Sequence, residues 1–306
     1  MSNLLHVGLD VGSTTVKIVV MDDKLNTIYR DYQRHYSDTK NTVCNVLEGL
    51  AEKYPDSEFT IALTGSGAMS ASKFLDLPFI QEVVSCKRAV EKYIPKTDVV
   101  IELGGEDAKI IYFDKSIEQR MNGSCAGGTG AFIDQMASLL NTDPTGLNEL
   151  AKNYQTIYPI ASRCGVFAKT DIQPLLNEGA AKEDIAVSIF QAVVNQTISG
   201  LACGRPIRGN VAFLGGPLNY LSELRKRFIE TLQLTPDEVL VPEEAHLLVA
   251  KGAALDSIEE AKPITVEKLR SKIGVLRVSH DDTSNPLAPL FSIEADYEEF
   301  KARHDK

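Results

Sequence analysis

The residues best placed to do chemistry are Cys125 and Cys164, each set beside glycine. The runs are Asn122-Gly123-Ser124-Cys125-Ala126-Gly127-Gly128-Thr129-Gly130 and Ser162-Arg163-Cys164-Gly165-Val166-Phe167. A helical pattern follows each run, marked after the first by Phe132, Met136 and Leu139 and continuing after the second through Leu176. A thiol at or near a helix start meets the helix's partial positive charge and is favoured as thiolate. Thiolate is the ligand an iron–sulfur cluster takes. No CxxC pair or histidine spacing points to zinc. Two thiolates are half of the four ligands a cubane cluster usually takes, so two chains would share one cluster on a two-fold axis. The other cysteines, Cys44, Cys86 and Cys203, sit in helical or apolar surroundings. They read as buried thiols acting as small hydrophobes. A total of five cysteines in a non-secreted chain is not a disulfide framework.

Three glycine turns at strand ends offer a second kind of chemistry. Asp10-Val11-Gly12-Ser13-Thr14-Thr15-Val16-Lys17 delivers a carboxylate at the end of a strand. Gly12 lets the backbone approach a ligand. Ser13, Thr14 and Thr15 supply hydroxyls and successive N–H groups suited to phosphate oxygens, and Lys17 adds a positive charge. Asp10 beside them can hold Mg²⁺ through water. Glu102-Leu103-Gly104-Gly105-Glu106-Asp107-Ala108-Lys109 repeats this logic. The third turn, Phe213-Leu214-Gly215-Gly216-Pro217, lets a flat ring approach the backbone. Taken singly, each is also an ordinary polar or Gly-Pro turn, and Lys17 alone is also a solvated lysine at a strand end.

The elements that must position these residues alternate between strand and helix. Residues 4–11, 16–21 and 27–32 read as strands in a hairpin arrangement, 41–53 as a helix, and 59–63 as a strand closed by the turn Thr64-Gly65-Ser66-Gly67. Helical stretches at 68–75 and 86–93 flank a short apolar run at 79–84. The hairpin then recurs at 98–103 and 108–113, which implies an internal duplication. Helical patterns cover 129–140, 144–153, 166–177, 182–202, 220–233 and 243–261, with a buried strand at 210–214. The pattern predicts an α/β fold of two related subdomains, 1–96 plus 246–261 and 97–245, followed at 262–306 by a C-terminal appendage or the start of a following module. Within that appendage, 281–289 reads as a loop.

Composition narrows the class. A net charge of −10 and a pI near 5.1 leave no basic face for nucleic acid or an anionic membrane. No uninterrupted apolar run has the length of a membrane span, and the first residues show neither a basic n-region nor a cleavage site. A cytoplasmic location is the resulting expectation.

The three turns, in their order and placement, resemble the two phosphate segments and the adenosine segment of the actin/Hsp70/sugar-kinase superfamily, in which ATP and Mg²⁺ lie in a cleft between two related domains. More closely, DVGSTTVK at 10–17, ELGGEDAK at 102–109, NGSCAGGTGAF at 122–132 and SRCGVFAKTD at 162–171 resemble the BadF/BadG/BcrA/BcrD ATPase family, specifically the activators of 2-hydroxyacyl-CoA dehydratases. The resemblance implies that Cys125 and Cys164 of two subunits hold a single [4Fe–4S] cluster in a homodimer. It also implies that ATP hydrolysis drives a low-potential electron onto a separate iron–sulfur dehydratase or reductase component, with ferredoxin or flavodoxin as donor. Glu102-Leu103-Gly104-Gly105-Glu106-Asp107 departs from the Asp-Ile-Gly-Gly-Gln-Asp usual in small activators and is closer to the large, multi-module activator-related proteins.

The roles expected on this basis are specific. Ser13, Thr14, Thr15 and Lys17 contact phosphates, with Gly12, Gly104 and Gly105 forming the turns. Asp10, with Glu102 or Asp107, positions Mg²⁺ and the attacking water. Gly215, Gly216 and Pro217 border the adenosine. Two rival functions share the cleft: a small-molecule (sugar or acyl) kinase, and a non-enzymatic nucleotide-responsive scaffold.

Overall fold

Strict alternation marks a strand, and Leu5–Val11 sets Leu5, Val7, Leu9 and Val11 alternately with His6, Gly8 and Asp10, all of them buried. In the computed structural model, which describes residues 3–114, 116–123, 125–162, 164–279 and 289–304, it becomes the centre of a mixed sheet. Strands β1 (Asn3–Val11), β2 (Thr15–Met21) and β3 (Thr27–Arg34) form an antiparallel meander, and after helix α1 (Thr39–Lys53) strand β4 (Ser57–Thr64) lies parallel to β1. Helices α2 (Ala68–Leu75) and α3 (Glu82–Tyr93) lead to the second half.

There the pattern repeats. Strands β5 (Val99–Leu103), β6 (Ala108–Tyr112) and β7 (Glu118–Met121) form another antiparallel meander. Helices α4 (Gly130–Leu139), α5 (Pro144–Ala151), α6 (Gly165–Asn177) and α7 (Lys182–Thr197) follow, and α7 runs on into a π-turn at Ile198–Ala202. Strand β8 (Val211–Leu214) then pairs parallel to β5, as β4 does to β1. Next come α8 (Gly216–Tyr220), α9 (Ser222–Leu232) and β9 (Val239–Leu240). Helix α10 (Leu248–Glu260), β10 (Ile264–Thr265), α11 (Val266–Val278) and α12 (Glu294–His304) complete the chain. The sheets run β10-β4-β1-β2-β3 and β7-β6-β5-β8-β9, so the duplication expected from the two hairpins is present in the pairing order.

Each sheet has its own core on one face. Leu5, Val7 and Leu9 pack with Leu47 and Leu50 of α1, while Ile101 and Ile110 pack with Phe190, Phe213 and Phe228. Helices α3 and α10 fill the space between the sheets. Val100, Ile111 and Ala212 meet Cys86, Val90 and Leu248, and Val19 and Met21 meet Ala250 and Ala254. Small residues make this crossing close: a Cβ on Gly8 would lie 1.9 Å from the Ala250 carbonyl oxygen, and one on Gly252 would lie 1.8 Å from that of Ser85.

Several expectations change. Residues 264–278 are no appendage. β10 pairs with β4 through Ile264↔Phe59, and Val266, Leu269, Ile273 and Leu276 are buried against the first core. The charged surface residues of α11 mask this apolar stripe in sequence. Residues 280–288 and 305–306 of the expected tail, including most of the loop read at 281–289, lie outside the described residues. The helix read at 220–233 is α9, and a short additional helix precedes it, because Pro217, pre-set for a helical φ, starts α8 inside the glycine turn. β7 and β9 were not legible: β7 alternates half-buried and exposed residues without an apolar side, and β9 spans only two residues. The run Lys182–Ala202 is long and apolar enough to cross a membrane by length and composition, with mean hydropathy 1.4, but 67% of it is buried inside the protein.

Candidate functional site

The two hairpins end in turns built alike. Asp10 faces Lys17 across β1 and β2, and Glu102 faces Lys109 across β5 and β6, each one residue pair before the turn. Gly12 N–H donates to the Thr15 carbonyl at 2.9 Å, and Gly104 N–H donates to the Asp107 carbonyl at 2.7 Å. Ser13 and Thr14 lie within the first turn, and Asp107 closes the second through its backbone. The turns oppose one another: a Cβ on Gly105 would lie 2.1 Å from the Thr14 Oγ1. Gly130 and Ala131 of α4 donate N–H groups to the carbonyls of Gly104 (3.0 Å) and Gly105 (2.7 Å), fixing the second turn to a helix start.

Charge is concentrated where the turns meet. Asp10 is 1% exposed and Glu102 5%. Lys17 Nζ donates to Asp10 Oδ2 at 2.7 Å, so it is no solvated strand-end lysine. Burial alone would lower the Lys17 pKa, but the charge and hydrogen bond of Asp10, helped by Glu102, hold it above its ordinary value. Lys109 is 4% exposed and donates to Glu82 Oε1 at 2.7 Å. Burial and the neighbouring Glu102 push the Glu82 carboxyl up to about 7. Among the described residues, Asp10 Oδ1, Glu102 Oε2 and Thr64 Oγ1 are buried oxygens with no protein partner. Buried polar atoms are rarely left so. Asp10 and Thr64 are register partners of β1 and β4, so their side chains share a face of the sheet. A hard cation that keeps several waters and takes few carboxylates suits this donor set.

The strand ends of β4 and β8 complete the symmetry. Gly65 and Gly215 both adopt positive φ, +96° and +88°. Both also lie against the neighbouring strand: a Cβ would be 2.4 Å from the Val11 oxygen at Gly65 and 2.0 Å from the Leu103 oxygen at Gly215. Only glycine satisfies both demands. Thr64-Gly65-Ser66-Gly67 is therefore the counterpart of Leu214-Gly215-Gly216-Pro217. In sequence it shows only a turn, and its position at a strand end is the signal that links it to the other.

An inner recess of about 50 Å³ between the turns is lined by Thr14, Thr15, Lys17, Gly104 and Gly105. It continues along Gly216 and Pro217 into an outer cleft of about 390 Å³ that Ile133, Pro144, Tyr220 and Leu221 also line. Tyr32, Tyr220 and His246 form a ring cluster at this wall, with Tyr220 and His246 centroids 5.0 Å apart. Burial, then the nearby Lys17, pushes His246 down to about 4, so it is neutral at pH 7. Arg34 Nη1 and Nη2 donate to Asp134 Oδ2 and Oδ1 at 3.0 and 3.3 Å, bridging β3 and α4 across the cleft. The aromatic wall and this bridge had no local sequence signal. A small polar recess that opens into a wider cleft of mixed lining, with Ile133, Pro144 and Tyr220 beside Arg34, Asp134 and Asp143, suits a nucleotide's polyphosphate and base.

The cysteines lie beside this machinery. Cys164 is the N-cap residue of α6, where the helix charge acts on it. Cys125 is not at a helix start, because α4 is capped by Thr129. The dipole effect fades within one turn, and Cys125 Sγ instead accepts from the Gly127 N–H at 3.4 Å. Asn122 ties its loop to the second turn. The Asn122 side-chain amide donates to the carbonyls of Glu106 and Cys125, both at 2.9 Å, and its oxygen accepts from the Ala108 N–H at 2.8 Å. Gly165, next to Cys164, lies against Phe132 of α4, with 3.4 Å from a built Cβ to the ring. Both cysteine segments thus adjoin the helix that is fixed to the second turn. Among the described residues, no three His, Cys, Asp or Glu side chains gather as a metal site.

Comparison with known proteins agrees with the geometry. The model of the BadF/BadG/BcrA/BcrD ATPase family matches residues 7–256. The chain is 31% identical over 264 residues to the 2-hydroxyisocaproyl-CoA dehydratase activator of Clostridioides difficile, covering 84% of this chain and 96% of that one. It is 32% identical over 220 residues to the (R)-2-hydroxyglutaryl-CoA dehydratase activating ATPase of Acidaminococcus fermentans, covering 70% and 83%. The solved activator of the 2-hydroxyisocaproyl-CoA dehydratase from Clostridium difficile with bound ADPNP superposes with a TM-score of 0.70 at 26% identity, covering 92% of this chain and all of that one. The fold is the two-domain, duplicated α/β fold of the actin/Hsp70/sugar-kinase-like ATPases, and the chain belongs to the BadF/BadG/BcrA/BcrD ATPase family.

Proposed function

We propose that this chain is an ATP-dependent activator that delivers a low-potential electron to an iron–sulfur dehydratase or reductase component acting on an acyl-CoA. The observation that carries this is Asn122, whose one side chain holds both the nucleotide-facing turn and the loop of Cys125. Relatives at 31% and 32% identity, named as a dehydratase activator and a dehydratase-activating ATPase, support it.

In this mechanism Ser13, Thr14, Thr15 and the turn amides of Gly12, Gly104 and Gly105 hold the phosphates, and Lys17 balances their charge. Gly215, Gly216 and Pro217 border the adenosine beside Tyr220. Asp10 and Glu102, each with an unpartnered buried oxygen, would hold Mg²⁺ and orient the attacking water, with Asp107 at the edge of the turn. When bound, the ion neutralises charge developing on the phosphates. Phosphoryl transfer needs mainly positioning, so no strong nucleophile is required of the chain.

Cys125 and Cys164 would supply two thiolates, half of a [4Fe–4S] ligand set, and the same pair from a second copy would complete it. When bound, the cluster supplies one-electron chemistry at low potential. Closure of the cleft displaces the second turn. Asn122 and α4 would then carry that displacement to both cysteine segments, where the exposure and backbone dipoles around the two thiolates would change. Ferredoxin or flavodoxin is the proposed electron donor.

The test is anaerobic purification with iron, sulfide and mass determination. One four-iron cluster per two chains and brown absorbance that dithionite bleaches are expected. A colourless, iron-free protein that phosphorylates sugars or acyl acids would instead make it a kinase.

A further inference from the structure

The two hairpins match position for position, with one departure. In the first, Lys17 closes onto its register partner Asp10. In the second, Lys109 has Glu102 as register partner, yet its Nζ bonds to Glu82 at 2.7 Å. Glu102 Oε2 is left buried without a partner. Directly opposed cross-strand side chains have Cβ atoms about 5 Å apart, so Glu102 is within reach of the lysine. At 4% exposure Lys109 cannot turn to water instead, and a buried ammonium must pair.

Glu82 comes from neither strand. It is the first residue of α3, the helix that precedes the second sheet and packs against α10 between the two sheets. Ser85, one turn further on, donates to Asp256 of α10 at 2.8 Å. The Glu82 backbone is therefore anchored independently of the hairpin whose lysine it takes.

We propose that Glu82 is a positioning residue for ATP hydrolysis: by capturing Lys109 it keeps the Glu102 carboxylate free to face the attacking water or the hydrated cation. This rests on the ATPase assignment above. With no carboxylate at 82, Lys109 would turn to Glu102 and make the second hairpin a copy of the first. Both turn carboxylates would then share their charge with a lysine, as Asp10 already does, and Glu102 would hold the attacking water or hydrated cation more weakly. No bond to substrate is asked of Glu82 itself.

The test compares Glu82→Gln, Glu82→Asp and the double variant Glu82→Gln/Lys109→Met in the full chain, reading kcat, KM for ATP and the Mg²⁺ concentration giving half-maximal rate. Glu82→Gln should lower kcat by roughly 10- to 100-fold, the scale of a misplaced group, and raise the Mg²⁺ requirement, with KM within about threefold of wild type. The double variant should regain at least about tenfold in kcat over Glu82→Gln, because no lysine remains to occupy Glu102. Glu82→Asp, which retains the charge, should fall between Glu82→Gln and wild type.

A folded Glu82→Gln with wild-type kcat and Mg²⁺ dependence would overturn the proposal, as would a double variant no faster than the single. If Glu82→Gln does not fold, Glu82→Asp decides alone: an unchanged Mg²⁺ requirement overturns the proposal, and a raised one supports it. Glu102→Gln separates the two levels. Full activity in that variant would sink the assignment of Glu102 to the attacking water or cation, whereas its loss with Glu82→Gln unaffected sinks only the role of Glu82.

Discussion

At the residue scale, Asp10 is asked for opposing things. Oδ2 is committed to Lys17 while Oδ1 is buried and open. The first use stabilises the fold, and the second suits phosphate chemistry. Asp10→Asn should therefore lower ATPase kcat by about 100-fold or more. It should also destabilise the chain by about 1–3 kcal/mol, because the part-buried Lys17 loses its counter-charge. Steady-state kinetics and urea unfolding check the two effects separately. The cysteines should not share this double effect. Cys125→Ser or Cys164→Ser should each abolish iron binding and leave nucleotide affinity within about threefold, since neither thiol lines the cleft. His246 gives a pH signature. Its folded-state pKa of about 4 lies below the ordinary value of 6.5. Between these values the unfolded chain takes up a proton that the folded chain refuses. Stability should thus fall as pH drops from about 6.5 toward 4, and His246→Gln should flatten the slope, measured as urea midpoints at pH 7.5 and 5.

At the scale of elements, α11 and the Asn122 connection have the clearest consequences. Leu269 is fully buried in the first core, so Leu269→Ala should cost about 2–5 kcal/mol. A true appendage would show almost no change in denaturant midpoint. Asn122 makes three hydrogen bonds among the second turn, β6 and the Cys125 loop. Asn122→Ala should leave ATP turnover within a few-fold, since the turn keeps its Gly130 and Ala131 contacts. Binding of ADPNP should then no longer slow amide exchange in the loop before α4. Equal protection in wild type and variant would show that the loop does not sense the turn through this residue.

At the scale of the whole molecule, two similar halves meet through small residues on α10 and through few groups across the cleft mouth. Close helix contacts at Gly8 and Gly252 leave little room for sliding there, which favours closure as a rotation about the α3–α10 layer. The Arg34–Asp134 pair bridges the opposite side with half-exposed groups. Such a pair contributes about 1 kcal/mol or less and is screened by salt. Arg34→Ala should accordingly change ADPNP affinity by less than about fivefold and reduce its salt dependence, measured by titration calorimetry at two ionic strengths.

Local sequence determined the chemistry that turns and caps can announce. The strand-end glycines, the carboxylate–lysine spacing of both hairpins and the two cysteines stood out because their backbone demands are local, and the repeat of one hairpin by the other was visible for the same reason. Tertiary structure decided what depends on segments far apart in the chain. It set Glu82 against Lys109, Thr64 beside Asp10, α11 into the first core, and Arg34 opposite Asp134. It also withdrew Cys125 from a helix start and gave its sulfur a backbone donor instead. Side-chain periodicity and turn preference act over a few residues. Which buried charge finds which partner is settled only when distant elements exclude water together.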